Sequence, residues 1–259
     1  SSFEFIISDN ISASDNLNLN NDLIIVAFPI QFINSYLDLK FNRSSKILIL
    51  SKGIDSDSLM LPTQVLVDKF DIKSSNMVVI SGPSHAEQVY KGDPTTLVAA
   101  SKNKDFAKNI QNFLSNQNLR IYTSKDIIGV QLGGAMKNVI AIAAGIMYGL
   151  GLGENSISAL ITRGIFELNK LGSLMGSKKD TLNGLSGIGD LVATCFSDDS
   201  RNRKAGIMIA KGKTLKYITE DMNIKAEGIN TCKSVHQLSN KYGAKLPICK
   251  EEAVGSKPT

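Results

Sequence analysis

Cysteine is scarce in this chain: Cys195, Cys232 and Cys249 are the only three in 259 residues. An odd number without close spacing excludes a disulfide framework and a cysteine-based metal site, and points to a reducing compartment. Aromatics make up only 6% of the residues, and no dense Lys/Arg tract interleaves with them, which argues against a nucleic-acid surface. The first residues, SSFEFIISDN, have no basic stretch ahead of an apolar one, so they do not read as a signal peptide. A further absence bears most on function. No G-x-G-x-x-G follows an early strand, although that turn normally opens a dinucleotide-binding fold. The chain therefore reads as one picked up partway, with a first strand, turn and helix upstream of Ser1. As it stands it is expected to hold a dinucleotide weakly, because the pyrophosphate normally rests on the N–H groups of that turn.

What is present is ordinary globular composition: 42% hydrophobic, 20% charged, formal net charge +5. That balance suits an anionic small substrate. Short apolar, β-branched runs occur at NDLIIVAFPI (21–30), SKILILSKGI (45–54), NMVVIS (76–81), TTLVAAS (95–101) and LRIYTSKD (119–126). The first reads as a buried strand, the next three repeat its form and 119–126 reads as a last strand, with helix-length segments such as KDFAKNIQNFLSN (104–116) between them. This is the pattern of a largely parallel sheet, whose ligands sit outside the carboxyl ends of the strands. Beyond about residue 124 strand patterns vanish and helical periodicity takes over, at 126–148, 155–176, 199–211, 214–222 and 228–243. The expected architecture is an α/β Rossmann-type sheet domain over 1–124, incomplete at its N-terminus. An all-α helical domain over 125–259 packs against it, with a core over 126–243 that needs none of the strands upstream of Ser1. The Asn/Ser-rich stretch 8–22 reads as a surface loop and AVGSKPT (253–259) as a loose tail. The run 127–153 is long enough to span a bilayer, but Lys137, Asn138, Gln131 and its glycines favour a buried central helix.

Five stretches carry candidate chemistry. Lys52 follows a strand and by itself would read as a solvated lysine. GPSHAE (82–87) forms a tight turn that opens a helix at Ser84; it is either an anion site or a structural turn. Lys137 stands with Asn138 in a small, apolar helix, where an ammonium is costly unless it is paired or used. GLSGIGDLVATC (184–195) brings glycine backbone close to something, or is a loop capped by Asp190. Ser200, Arg201 and Asn202 offer a hydroxyl, a guanidinium and an amide at one helix start, which suits phosphate. A buried lysine, an aspartate to keep it charged and a nearby phosphate site together suit a phosphorylated carbonyl or alcohol, with a dinucleotide supplying hydride.

These segments carry a resemblance. GPSHAEQV, GVQLGGAMKNVIAIAAGIMYGLGLGENSISALITRG, LSGIGDLVATCFSDDSRNRKAG and EGINTCKSVHQLSNKYGAKLPIC are similar to the bacterial-type NAD(P)-dependent glycerol-3-phosphate dehydrogenases over nearly all of residues 20–250. The resemblance implies a Rossmann domain followed by a helical domain. It also implies reduction of dihydroxyacetone phosphate to sn-glycerol 3-phosphate for phospholipid synthesis. It makes Lys137 the catalytic lysine, with Asp190 beside it. Asn138, Asp190, Ser200, Arg201 and Asn202 would meet substrate, while Lys52, Gly82 and Ser84 line the substrate and nicotinamide. Lys52, Ala86, Arg201, Ala226 and Glu227 would contact NAD or NADP. No metal is implied. Position 85 is His where the family often has Phe, and position 131 is Gln where Glu is usual.

The partner expected is a triose phosphate, with no nucleic acid and no stable membrane insertion; the apolar helices suit a homodimer as well as a core. The expected location is cytoplasmic. The competing reading is a relic of this fold that folds and binds phosphate or a partner without turnover.

Overall fold

The computed structural model describes residues 14, 21–36, 41–42, 44–222, 224 and 226–250. The tail at 253–259 and nearly all of the 8–20 stretch lie outside the described residues. Five strands form one sheet in the order β1 (Ile24–Val26), β2 (Ile47–Ile49), β3 (Met77–Ser81), β4 (Thr95–Ala100), β5 (Leu119–Ser124). Each falls within a run read from sequence. Alternate side chains serve opposite faces, as a pleat requires. Ile47, Ile49, Met77 and Val79 pack in one cluster under α1 (Pro62–Phe70), while Leu48, Val78 and Ile80 pack in another under α3 (Lys104–Leu114).

One pairing departs from a parallel sheet. β3 and β4 are antiparallel, with Ile80 opposite Ala99, while the other three pairs are parallel. The connection explains it. Residues 82–94 between these strands hold only the five-residue α2 (Ala86–Tyr90) and a turn at Gly92, and a helix that short does not carry the chain back along the sheet for a parallel return. β1, β2 and β3 still end on one side, and there lie Ala27, Lys52 and Ser84.

The second half is helical: α4 (Ile127–Gly149), α5 (Glu154–Met175), α6 (Lys179–Leu182), α7 (Asp190–Phe196), α8 (Arg201–Ala210) and α9 (Glu227–Lys241). α4 starts where Asp126 accepts the Gly129 N–H at 2.8 Å and is the axis of this half. It is long and apolar enough to cross a membrane by length and composition, yet 94% of its most apolar window is buried within the fold. The segment read as a glycine loop is instead a π-turn, Leu185–Gly189, running straight into α7. What its backbone approaches is α4: a Cβ on Gly133 would lie 2.2 Å from the Ser186 carbonyl oxygen. The helical core also draws on the first half of the chain. Ile54 and Leu61, from the loop between β2 and α1, are buried within it.

Candidate active site

A cleft of about 440 Å³ opens between the carboxyl ends of β1 to β3 and the helical half. Ala27, Phe28, Leu50 and Ser51 form one wall, continuing directly from β1 and β2. The opposite wall carries Lys137 and Asn138 of α4, Thr194 of α7, Asp199, Ser200, Arg201 and Asn202 around the start of α8, and Glu227. Lys52, Ser84, His85, Ala86 and Glu87 complete it. Nine of the twelve candidate residues thus line one space. Gly82, Asp190 and Ala226 stand behind its surface.

Asp190 is the buried centre of charge, only 1% exposed. One carboxylate oxygen accepts from Lys137 Nζ at 2.5 Å and the other from Lys52 Nζ at 2.9 Å. Ser81 Oγ, at the end of β3, stands 3.5 Å from the second oxygen. Lys52 is therefore no solvated strand-exit lysine. Burial pushes the Lys137 ammonium down from 10.5 to about 8, and the Lys52 charge pushes the same way. The Asp190 carboxylate opposes both. Behind the pair, burial pushes the Cys195 thiol up to about 12, so it is an inert packing group.

The anion-binding end is built on α8, whose first turn offers unsatisfied N–H groups and positive dipole. Ser200 caps it by accepting the Arg203 N–H at 3.2 Å, which leaves its own hydroxyl proton to donate. Arg201 is exposed to the cleft. Asn202 is a strut as much as a contact. Its amide donates to Asn138 Oδ1 at 3.0 Å, and its carbonyl accepts the Gly228 N–H at 2.9 Å. One amide hydrogen remains for a ligand. These bonds join the starts of α8 and α9 to the turn of α4 that carries Lys137. Arg203, buried and stacked 4.3 Å from the Tyr148 ring centroid, pairs with Asp198 at 2.5 Å and holds the loop before α8.

The turn at 82–87 contributes less than its sequence suggests. Ser84 donates back to the Gly82 carbonyl oxygen at 3.1 Å, and α2 is too short to have a useful dipole. Gly82, at φ +146°, lets β3 pass close to Thr96 and Leu97 of β4. Ala226 only caps α9. Sequence reasoning missed Ala27, Phe28, Leu50, Ser51, Glu87, Thr194 and Asp199. The first four could have been found from the rule that strand carboxyl ends face ligand.

The residues present fit a nicotinamide group. Ala27, Phe28 and Leu50 line the same cleft as Lys137, which gives a flat ring an apolar surface in the space that also holds a proton donor. Comparisons with known proteins agree. The family model for the NAD-dependent glycerol-3-phosphate dehydrogenase N-terminus matches residues 4–107, and the C-terminal model matches residues 126–253. The chain belongs to this family. A glycerol-3-phosphate dehydrogenase [NAD(P)+] from Fusobacterium nucleatum is 42% identical over 252 residues, covering 95% of this chain and 75% of the relative. The corresponding Bacillus subtilis protein is 45% identical over 232 residues, covering 88% and 67%. The crystal structure of glycerol-3-phosphate dehydrogenase from Coxiella burnetii superposes with a TM-score of 0.84 at 36% identity, covering 90% of this chain and 71% of that one. The chain thus spans about three quarters of the length of the first of these relatives. Within the family, the Lys52–Asp190–Lys137 cluster and the α8 start are this chain's polar equipment in the cleft.

Proposed function

We propose that this protein reduces dihydroxyacetone phosphate to sn-glycerol 3-phosphate with NADH or NADPH, in the cytoplasm, supplying glycerol phosphate for phospholipid synthesis. The observation that carries the reading is Lys137, buried, bonded to Asp190, and facing the same cleft as the Ser200–Arg201–Asn202 helix start. The dinucleotide, when bound, supplies hydride to the keto carbon. Lys137 Nζ keeps protons beyond the one given to Asp190, and with them it stabilises the negative charge that grows on the substrate oxygen and donates a proton. A pKa of about 8 keeps it mostly charged at neutral pH while making it a better acid than an ordinary lysine. Asp190 holds that ammonium in place, and Lys52 neutralises the carboxylate's other oxygen. Ser200, Arg201 and Asn202 hold the phosphate, so that binding energy remote from the carbonyl positions it for reaction. Ala86 and Glu227, with Lys52 and Arg201, line the side where NAD or NADP lies, and Ala226 backs Glu227 there. Apolar residues exposed on the helical half, among them Leu150, Leu152 and Phe166, suit a homodimer.

The test is spectrophotometric, following NADH or NADPH oxidation by dihydroxyacetone phosphate in the complete natural protein. Lys137→Ala is expected to lower kcat by at least about 100-fold, the low end of general acid catalysis. A variant with near-normal kcat overturns the assignment, and an inactive but folded wild type would favour a relic.

A further inference from the structure

We propose that Gln131 is a positioning residue for Lys52, acting across the boundary between the sheet and the helical half. Gln131 sits in α4, 4% exposed, and does not reach the cleft. Its side chain is committed to the first turn of α1. Its carbonyl oxygen accepts the Thr63 N–H at 2.9 Å and its amide donates to Thr63 Oγ1 at 2.9 Å. A third bond, from the amide to the Ile127 carbonyl oxygen at 3.1 Å, fixes the orientation of the amide. Buried polar groups this well satisfied rigidify what they join.

What they join is the Lys52 loop. The chain between Lys52 and Thr63 is not free slack. Asp55 donates its N–H to the Met60 carbonyl oxygen at 3.0 Å and accepts from Ser58 through both backbone N–H and hydroxyl. The loop is thereby pinched shut, leaving Lys52 three residues before the pinch and Thr63 three residues after it. Ile54 and Leu61 anchor its two limbs in the helical core. Ser234 of α9 adds a weaker hold, 3.4 Å from the Ile54 carbonyl oxygen. The same helix that carries Lys137 therefore grips the loop that carries Lys52, and Asp190 receives both ammonium groups at a fixed separation.

A shift in Lys137 follows from loosening this grip. Lys137 faces Lys52 on the loop, and Asp190 and Cys195 on α7. The cleft's other titratable or charged groups are His85 and Glu87, Asp199 and Arg201, and Glu227; none of these is on the loop that Gln131 holds. If the loop relaxes, Lys52 repels Lys137 less, Asp190 serves Lys137 alone, and water reaches the pair. All three changes raise the Lys137 pKa.

The proposal rests on the catalytic reading of Lys137, so its test does not use turnover. The pH dependence of Lys137 acylation by a small amine reagent, read by mass spectrometry against an exposed lysine, gives its titration directly. In Gln131→Ala the titration is expected to move up by about one unit from about 8. Thr63→Val, which removes only the hydroxyl, is expected to move it part of the way. Gln131→Glu keeps the acceptor for the Thr63 N–H and can accept from the Thr63 hydroxyl once that turns to donate, but it loses the bond to the Ile127 carbonyl oxygen, so it is expected to move the titration less than Gln131→Ala does. An unchanged titration in folded Gln131→Ala overturns the proposal, as does a Gln131→Glu curve shifted as far as that of Gln131→Ala. If Gln131→Ala does not fold, an unmoved Thr63→Val curve overturns it. A wild-type protein that labels as expected but does not turn over would refute the catalytic reading and leave the positioning intact.

Discussion

Lys137 works only while it carries its proton. With its pKa brought from 10.5 to about 8, the charged fraction is high at neutral pH and falls to half near pH 8. The sign for activity follows: carbonyl reduction should be flat below about pH 7 and decline as pH rises through 8. A profile of kcat against pH for the reductive direction checks this, and a decline only above pH 10 would place the donor elsewhere. Asp190 is the residue on which this depends, since its carboxylate is the one group that pulls the value up. Arg201 poses a separate question of grip. Its guanidinium stands at the start of α8 in the cleft, where two oxygens of a phosphate can be held at once. Arg201→Ala should lose about 1.5–3 kcal/mol of binding, or roughly 10- to 150-fold in kcat/KM, for dihydroxyacetone phosphate. Unphosphorylated dihydroxyacetone should be little affected, and equal losses on both substrates would show that the arginine only supports the helix.

Helices α4 and α8 set the distance between proton donor and phosphate grip, and they do so by touching backbone to backbone. A Cβ on Gly206 would lie 2.1 Å from the Ile142 carbonyl oxygen, and one on Gly145 would lie 2.1 Å from that of Arg203. Neither contact can yield by turning a side chain. Gly206→Ala should cost about 1–3 kcal/mol, read as a lower melting temperature, and should raise KM for the phosphorylated substrate because the start of α8 is displaced. How far such features are legible beforehand depends on their range. The strands at 47–49 and 77–81 are legible because a strand buried on both faces is an unbroken apolar run, and the edge strand at 24–26 shares the apolar run although Ile25 is exposed. The lone lysine of α4 is legible because, Asn138 and Gln131 apart, the residues around it are small and apolar. The reversal of β4 is not, since it follows from α2 being only five residues long. The Lys52–Asp190 bond joins positions 138 apart, and no local pattern distinguishes Lys52 from a solvated lysine. Gln131 shows the same limit. In sequence it is a polar residue inside an apolar helix; only Thr63, 68 positions away, gives it a task.

The molecule is organised around one apolar helix, and the chain order of its neighbours has a consequence for synthesis. α4 is covered by α5, α7, α8 and α9, all of which lie after it, with β3 and β4 the main neighbours that come first. On a ribosome the helix is therefore complete roughly ninety residues before α9 ends. At about 5–20 residues per second its cover stays incomplete for roughly 5 to 20 seconds. During that interval it has the length and hydropathy of a membrane span, and the nascent chain needs a holding chaperone more than the finished protein does. Ribosomes stalled shortly after α4 has emerged should retain such a chaperone, whereas ribosomes stalled after α9 has emerged should release it. Retention that does not differ between the two would mean that the sheet, already made, is enough to shelter the helix.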